Sequence, residues 1–169
     1  MTVVTQPLRD EHNELFPHVD QLRAAADGVG ESDPATLEAV REALDFLEHH
    51  LIPHAEAEDR ALYPVVARIM GAPDATATMR RDHVEVGKLT TELGMLREEL
   101  AMAGGSPFLY RELRRVLYGL FALVELHFAK EEEVYLPILD ANLTAEQASD
   151  LFHKIEAAAG HSQRHVHAG

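Results

Sequence analysis

The chain has 169 residues, 46% of them hydrophobic, and carries 15 Lys plus Arg against 29 Asp plus Glu, a net charge of −14. That length supports one domain with a core rather than two, and that charge repels a nucleic-acid backbone or an anionic membrane surface. Cysteine is absent, which removes disulfides, thiol nucleophiles and thiolate metal sites, so any metal must sit on nitrogen and oxygen donors.

Helix signals dominate in chain order. Leu8, Leu15, Val19 and Leu22 recur at helical spacing and predict a first helix over about Gln6 to Ala26, broken at GVGES. Asp33 followed by Pro34 reads as a cap with proline at the first helical position, opening a second helix to about Ile69. Gly71 and Pro73 stop it, Asp74 caps a third helix to about Met102, and Gly104-Gly105 ends that one. Ser106-Pro107 starts a fourth to about Asp140, and Thr144 with Gln147 resembles a capping box for a short fifth helix ending before Gly160. Prolines 17, 53 and 64 fall inside helical pattern, where each removes a backbone donor and bends the helix; Pro53 immediately precedes His54.

The expected fold is all-α: an antiparallel up-down four-helix bundle made of two repeated helix pairs, plus the short fifth helix. The expected domain spans residues 1–160, with a flexible histidine-containing tail at 161–169. The longest apolar run, VLYGLFALV at 116–124, is far short of the roughly 20 residues of a membrane span. The opening MTVVTQPLRDEHNE lacks the basic and apolar regions of a signal peptide. These features predict a soluble, cytoplasmic protein with no nucleic-acid or membrane partner, monomeric or weakly dimeric.

The repeat carries the chemistry. HAEAEDRALYP at 54–64 returns as HFAKEEEVYLP at 127–137, so His54, Glu58 and Pro64 match His127, Glu131 and Pro137 at an offset of 73, while His12 matches His83 at 71. Counting about 100° per residue, all four histidines and both glutamates share the apolar faces of their helices. A lone core histidine is usually a satisfied hydrogen-bonding residue. Six such residues at matching levels would instead face severe desolvation without a cation. Two carboxylates able to bridge, with four imidazoles, suit two ions about 3.5–4 Å apart. No histidine has a glutamate three positions earlier, as ferritin-like sites require, and no HExxH pattern exists.

The remaining order, His, then His-x-x-x-Glu, then His, then His-x-x-x-Glu, resembles the hemerythrin family, specifically the hemerythrin-like HHE cation-binding domains, over roughly residues 8 to 140. The resemblance implies a non-heme diiron centre with an oxo or hydroxo bridge. In it His12, His54, His83 and His127 would be terminal ligands and Glu58 and Glu131 would bridge, with manganese or zinc as substitute metals. The chain departs from the oxygen-carrying members. Those have two histidines one turn apart on the third helix and an aspartate five residues after the fourth-helix histidine; here Met79 and Gly87 flank His83, and Glu131 follows His127 by four. One histidine is missing. His50, one turn before His54, and Tyr135, one turn after Glu131, share the ligand face by straight-helix counting, and either could fill the vacancy or support the ligands from behind. The expected activity is consumption of hydrogen peroxide, with nitric oxide as a further co-substrate. The alternative is reversible binding of O2 or NO, or sensing of iron or oxygen without turnover.

Overall fold

The computed structural model describes residues 3–166, with side chains described to residue 159. Five helices account for the architecture, and no strand occurs among the described residues. They are α1 (Gln6–Gly28), α2 (residues 33–70), α3 (Ala77–Ala103), α4 (residues 107–142) and α5 (Ala145–Val166). Helix α1 packs on α2 and α4, α3 packs on α2 and α4, and α5 lies against the 52–62 stretch of α2. The result is a helical bundle. Among the described residues no helix is long and apolar enough to cross a membrane.

Local chemistry sets the helix ends. Ser32, not Asp33, caps α2: its hydroxyl accepts from the Ala35 amide at 3.3 Å. Asp33 instead reaches across to the Gly105 amide at 2.9 Å and accepts from the Tyr110 hydroxyl, tying the start of α2 to the loop before α4. Helix α3 begins at Ala77, so Asp74 does not cap it; Thr76 stands at the cap position and makes no side-chain cap. The Ser106 cap of α4 and the reciprocal Thr144–Gln147 capping box of α5 form as their sequences predict. Helix α5 continues through Gly160 to Val166 instead of stopping, because one glycine costs a helix only about 1 kcal/mol. The flexibility expected at 161–169, and the histidines there, lie outside the residues whose side chains are described.

Gly105 has no room for a side chain. A Cβ there would run into the Tyr110 hydroxyl and the Asp33 carboxylate. Gly105→Ala is therefore expected to destabilise the protein by about 1–3 kcal/mol, read as a lower urea midpoint with unchanged slope.

Three turns depart from α geometry. The amides of Ile52, Tyr63 and Leu136 donate to carbonyls five residues back, at Leu47, Glu58 and Glu131, rather than four. Each of these donors directly precedes a proline: Pro53, Pro64 and Pro137. In an unbroken α-helix the proline ring would press on the carbonyl four residues back. One extra residue in the turn carries that carbonyl away and rotates everything beyond it by about 100° relative to straight-helix counting.

The core has two parts. One contains Leu15, Leu47, Leu51, Val86, Leu93, Leu117, Val124 and Phe128; the other contains Leu8, Leu62, Tyr63, Met79, Tyr135, Leu136, Leu151 and Ile155. On every helix of the repeat the boundary falls at the same level. Leu8 and Leu15 flank His12, Leu51 and Leu62 flank His54 and Glu58, Met79 and Val86 flank His83, and Phe128 and Tyr135 flank Glu131. A buried polar layer separates the two clusters.

Candidate metal centre

That layer holds the six residues singled out by the repeat. His12 on α1, His54 and Glu58 on α2, and His127 and Glu131 on α4 are buried, and the His83 side chain on α3 is 10% exposed. Both glutamates have no solvent exposure at all.

Their donor atoms form two groups. The first is His12, His54, Glu58 and Glu131; the second is Glu58, His83 and His127. Glu58 belongs to both, with Oε1 3.0 Å from His54 Nε2 and Oε2 3.4 Å from His83 Nε2. In the first group His12 Nε2 lies 3.3 Å from Glu131 Oε2. Close as these atoms are, His12 Nε2, His54 Nε2, both Glu58 oxygens and Glu131 Oε2 are buried without a hydrogen-bond partner. Five orphaned polar atoms converging in one layer would cost several kcal/mol unless something satisfied them. Nitrogen and carboxylate donors about 3–4 Å apart are what a cation with bonds near 2.1 Å requires. The residues fit a metal.

Electrostatics agree. Burial alone would lower His12, but Glu131 and Glu58 overcome it and push the imidazole up to about 10. His83, lowered by burial, is raised to about 9 by Asp59 and Glu58, and His54 is raised well above its ordinary value by Glu58 and Glu11 against the same burial. Burial works to raise Glu58, and the surrounding histidines hold it well below the usual carboxylate range. In the metal-free protein, protons on the imidazoles therefore do part of a cation's work. Histidines raised in the folded state stabilise it fully below about pH 6.5 and lose that contribution as pH rises through 9 to 10. A lowered carboxylate contributes above about pH 4.5 and is lost as pH falls. Metal-free protein is thus expected to show its highest melting temperature between about pH 4.5 and 6.5 and a falling one from there to pH 10. Metal affinity should rise over the same alkaline range, because the ion displaces those protons.

A second ring of carboxylates holds the histidines. His12 Nδ1 lies 2.8 Å from Glu132 and His54 Nδ1 2.9 Å from Glu11, while His83 Nδ1 lies 3.1 Å from Asp59 and His127 Nδ1 3.2 Å from Asp82. The four obey the repeat: Glu11 matches Asp82 at 71 and Asp59 matches Glu132 at 73. Each ring is thereby turned so that Nε2 faces inward. Arg9 pairs with Glu132 and Lys130 with Asp82. Arg9 also reaches Asp140, whose carboxylate accepts the Val4 and Thr5 amides at the start of α1. Glu11 is 42% exposed, so Glu11→Ala should leave the fold intact while weakening metal binding about 10–100-fold, measured by competition with a coloured chelator.

The two supplementary candidates lie elsewhere. His50 is exposed and its ring stacks with His18 at 6.4 Å and Phe46 at 6.5 Å. His50 lies within the widened turn at Leu47–Leu51 and His54 after it, so the two do not share a face. Tyr135 is the last residue of the widened turn at Glu131–Tyr135 and donates its hydroxyl to the Ala75 carbonyl at 3.1 Å. Val134, on the ligand face by straight-helix counting, is exposed for the same reason.

Another tyrosine occupies the layer. Tyr63 is fully buried; its hydroxyl donates to Glu131 Oε1 at 2.8 Å and lies 3.2 Å from His127 Nε2 and 3.4 Å from His83 Nε2. Its partner under the repeat is Leu136, because the sequence reads LYP in one copy and YLP in the other. The extra residue in the Glu58–Leu62 turn brings position 63, rather than 62, onto the inner face. Burial, then Glu58 and Glu131, push its phenol strongly upward. Phe128 closes the other side, stacked on His12 at 4.5 Å and edge-on to His54.

The family model for the hemerythrin HHE cation binding domain matches residues 3–139. The chain belongs to that family. The match covers α1 to α3 and most of α4, including all six residues of the layer, whereas α5 lies beyond it. No curated protein and no solved structure matches the chain significantly. As a hemerythrin HHE domain with a buried His/Glu cluster, the chain has the makings of a metal-binding, iron-type site.

Proposed function

We propose that the chain is a diiron oxidoreductase that consumes hydrogen peroxide. The observation that carries this reading is the sharing of Glu58 between two donor groups, its two orphaned oxygens turned to opposite histidine pairs. His12, His54 and Glu131 would complete one position and His83 and His127 the other, with Glu58 spanning both. Tyr63 is our candidate for the ligand that stands where the oxygen-carrying members have another histidine. Its hydroxyl sits 2.8–3.4 Å from the neighbouring donors, about the separation of adjacent ligands on one ion. Two iron ions held there would supply the redox equivalents to turn two molecules of hydrogen peroxide into two of water and one of oxygen.

The chain's own residues prepare that chemistry. Glu11, Asp59, Asp82 and Glu132 fix the imidazoles, so the donors need little reorganisation. Phe128, Leu8 and Met79 wall the layer with apolar surface, and the 10% exposure of His83 marks the side of the second position as the approach for a small oxidant. The reversed order of the cross-links between α3 and α4, Asp82 with Lys130 and Glu92 with Arg115, supports an antiparallel up-down arrangement. We take manganese or zinc as competing metals, and a cytoplasmic monomer or weak dimer as the working form.

The test is oxygen evolution from hydrogen peroxide by iron-loaded, full-length protein, with nitric oxide added in a parallel sample. Rapid evolution that disappears in the metal-free protein is the expected result. Spectral change under O2 or NO with no peroxide turnover would overturn the enzyme reading in favour of a carrier or sensor.

A further inference from the structure

The two halves of the layer are related by the repeat, yet their donors are not in equivalent states. In the first group, His12 Nε2, His54 Nε2, Glu58 Oε1 and Glu131 Oε2 are all buried and all without a hydrogen-bond partner. An ion entering there displaces the imidazole protons but breaks no hydrogen bond made by these donor atoms. In the second group, His83 Nε2 and His127 Nε2 lie 3.0 Å apart and bond to each other, and the Tyr63 hydroxyl contacts both while donating to Glu131 Oε1. An ion entering there must break the His83–His127 bond and, with Tyr63 as a ligand, draw its hydroxyl away from Glu131. The second group also has one carboxylate against two in the first, and a more exposed histidine, since His83 is 10% exposed and His12 1%. The residue whose hydroxyl contacts both histidines of the second group departs from the repeat: tyrosine stands at 63 where the other copy has Leu136.

From this we infer that the two positions load unequally: the His12–His54–Glu58–Glu131 position holds its ion, and the Glu58–His83–His127 position beside Tyr63 exchanges it. The inference rests on the two-metal reading above. It makes the chain able to pass through a stable one-metal form and to accept a different divalent ion in the second position. It also puts the exchangeable position on the more exposed side of the layer.

The experiment uses the full-length chain, saturated with ferrous iron without oxygen and then challenged with excess chelator, with iron per chain followed over time. Two hydrogen bonds to be broken on one side and none on the other set the expected difference at about tenfold or more. Wild type should release one equivalent at least about tenfold faster than the other. In His83→Ala the slow equivalent should remain, and in His12→Ala it should be lost. A measurement on unaltered protein guards against misfolded variants: during stepwise loading, the ultraviolet signature of a metal-bound tyrosine should appear only with the second equivalent. Release of both equivalents at one rate, or a tyrosine signal complete at the first, would overturn the inference while leaving two ions per chain intact. Saturation at a single ion would instead sink the two-metal reading. In that case dependence of the one ion on His12 supports the retained position, and dependence on His83 overturns it.

Discussion

Glu58→Ala is expected to take the loaded protein from two iron ions per chain to fewer than one. Among the described residues Glu58 is the one whose oxygens serve both donor groups, and neither oxygen has a hydrogen-bond partner there. Loss of a residue that merely supports a ligand costs about 10–100-fold in metal affinity, so loss of a shared ligand should exceed about 100-fold at each position. Glu133→Ala is the matching control. It removes the same charge from an exposed position on α4 next to the ring of carboxylates, and metal content should not change. Elemental analysis of the two variants side by side separates a ligand from a contributor to overall negative charge. Retention of two irons by Glu58→Ala would end its assignment as the bridge.

Tyr63→Phe is expected to abolish the visible phenolate-to-iron absorption of the ferric protein and to lower peroxide turnover at least about tenfold, with Tyr135→Phe leaving both as they are. The two tyrosines are related by a one-residue shift in the repeat, and their environments differ accordingly. Tyr63 Oη faces Glu131, His127 and His83, whereas the Tyr135 hydroxyl is spent on the Ala75 carbonyl. Phenylalanine fits the apolar surroundings of Tyr63, among them Leu62, Val66 and Met79, so the variant should fold. An absorption band that survives Tyr63→Phe would remove this residue from the ligand set.

Much of this site is legible without coordinates, and what is not has one physical cause. The offsets of 71 and 73 find the six residues of the layer because each His-x-x-x-Glu pair lies within a regular stretch of helix, where counting by 100° holds. Counting fails across the turns before Pro53, Pro64 and Pro137, where hydrogen bonds run five residues back. His50 and Tyr135 are set on the ligand face only by an unbroken helix, and Tyr63 is kept off it by the same assumption. The prolines are visible in the sequence, but a proline can bend a helix or widen it, and only the second choice shifts the register. The carboxylates behind the histidines were within reach. Glu11 and Asp82 directly precede the paired histidines His12 and His83, and Asp59 and Glu132 directly follow the paired glutamates. The same offsets that reveal the ligands therefore relate their supports.

The fold follows the same division. Ser106 and the Thr144–Gln147 pair cap as written, whereas Asp33 gives up its capping role to Ser32 because a longer-range bond to Gly105 and Tyr110 claims its carboxylate. That competition involves residues more than seventy positions apart. Local sequence carries no sign of it.

Metal stoichiometry separates a two-ion centre from any other use of the buried layer. Full-length protein, freed of metal and then equilibrated anaerobically with ferrous iron at a fixed free concentration, should bind two ions per chain at saturation, measured by elemental analysis against protein concentration from amino-acid analysis. One ion per chain or none, in protein whose helical content is intact, would contradict the shared-carboxylate centre on which the proposed activity depends.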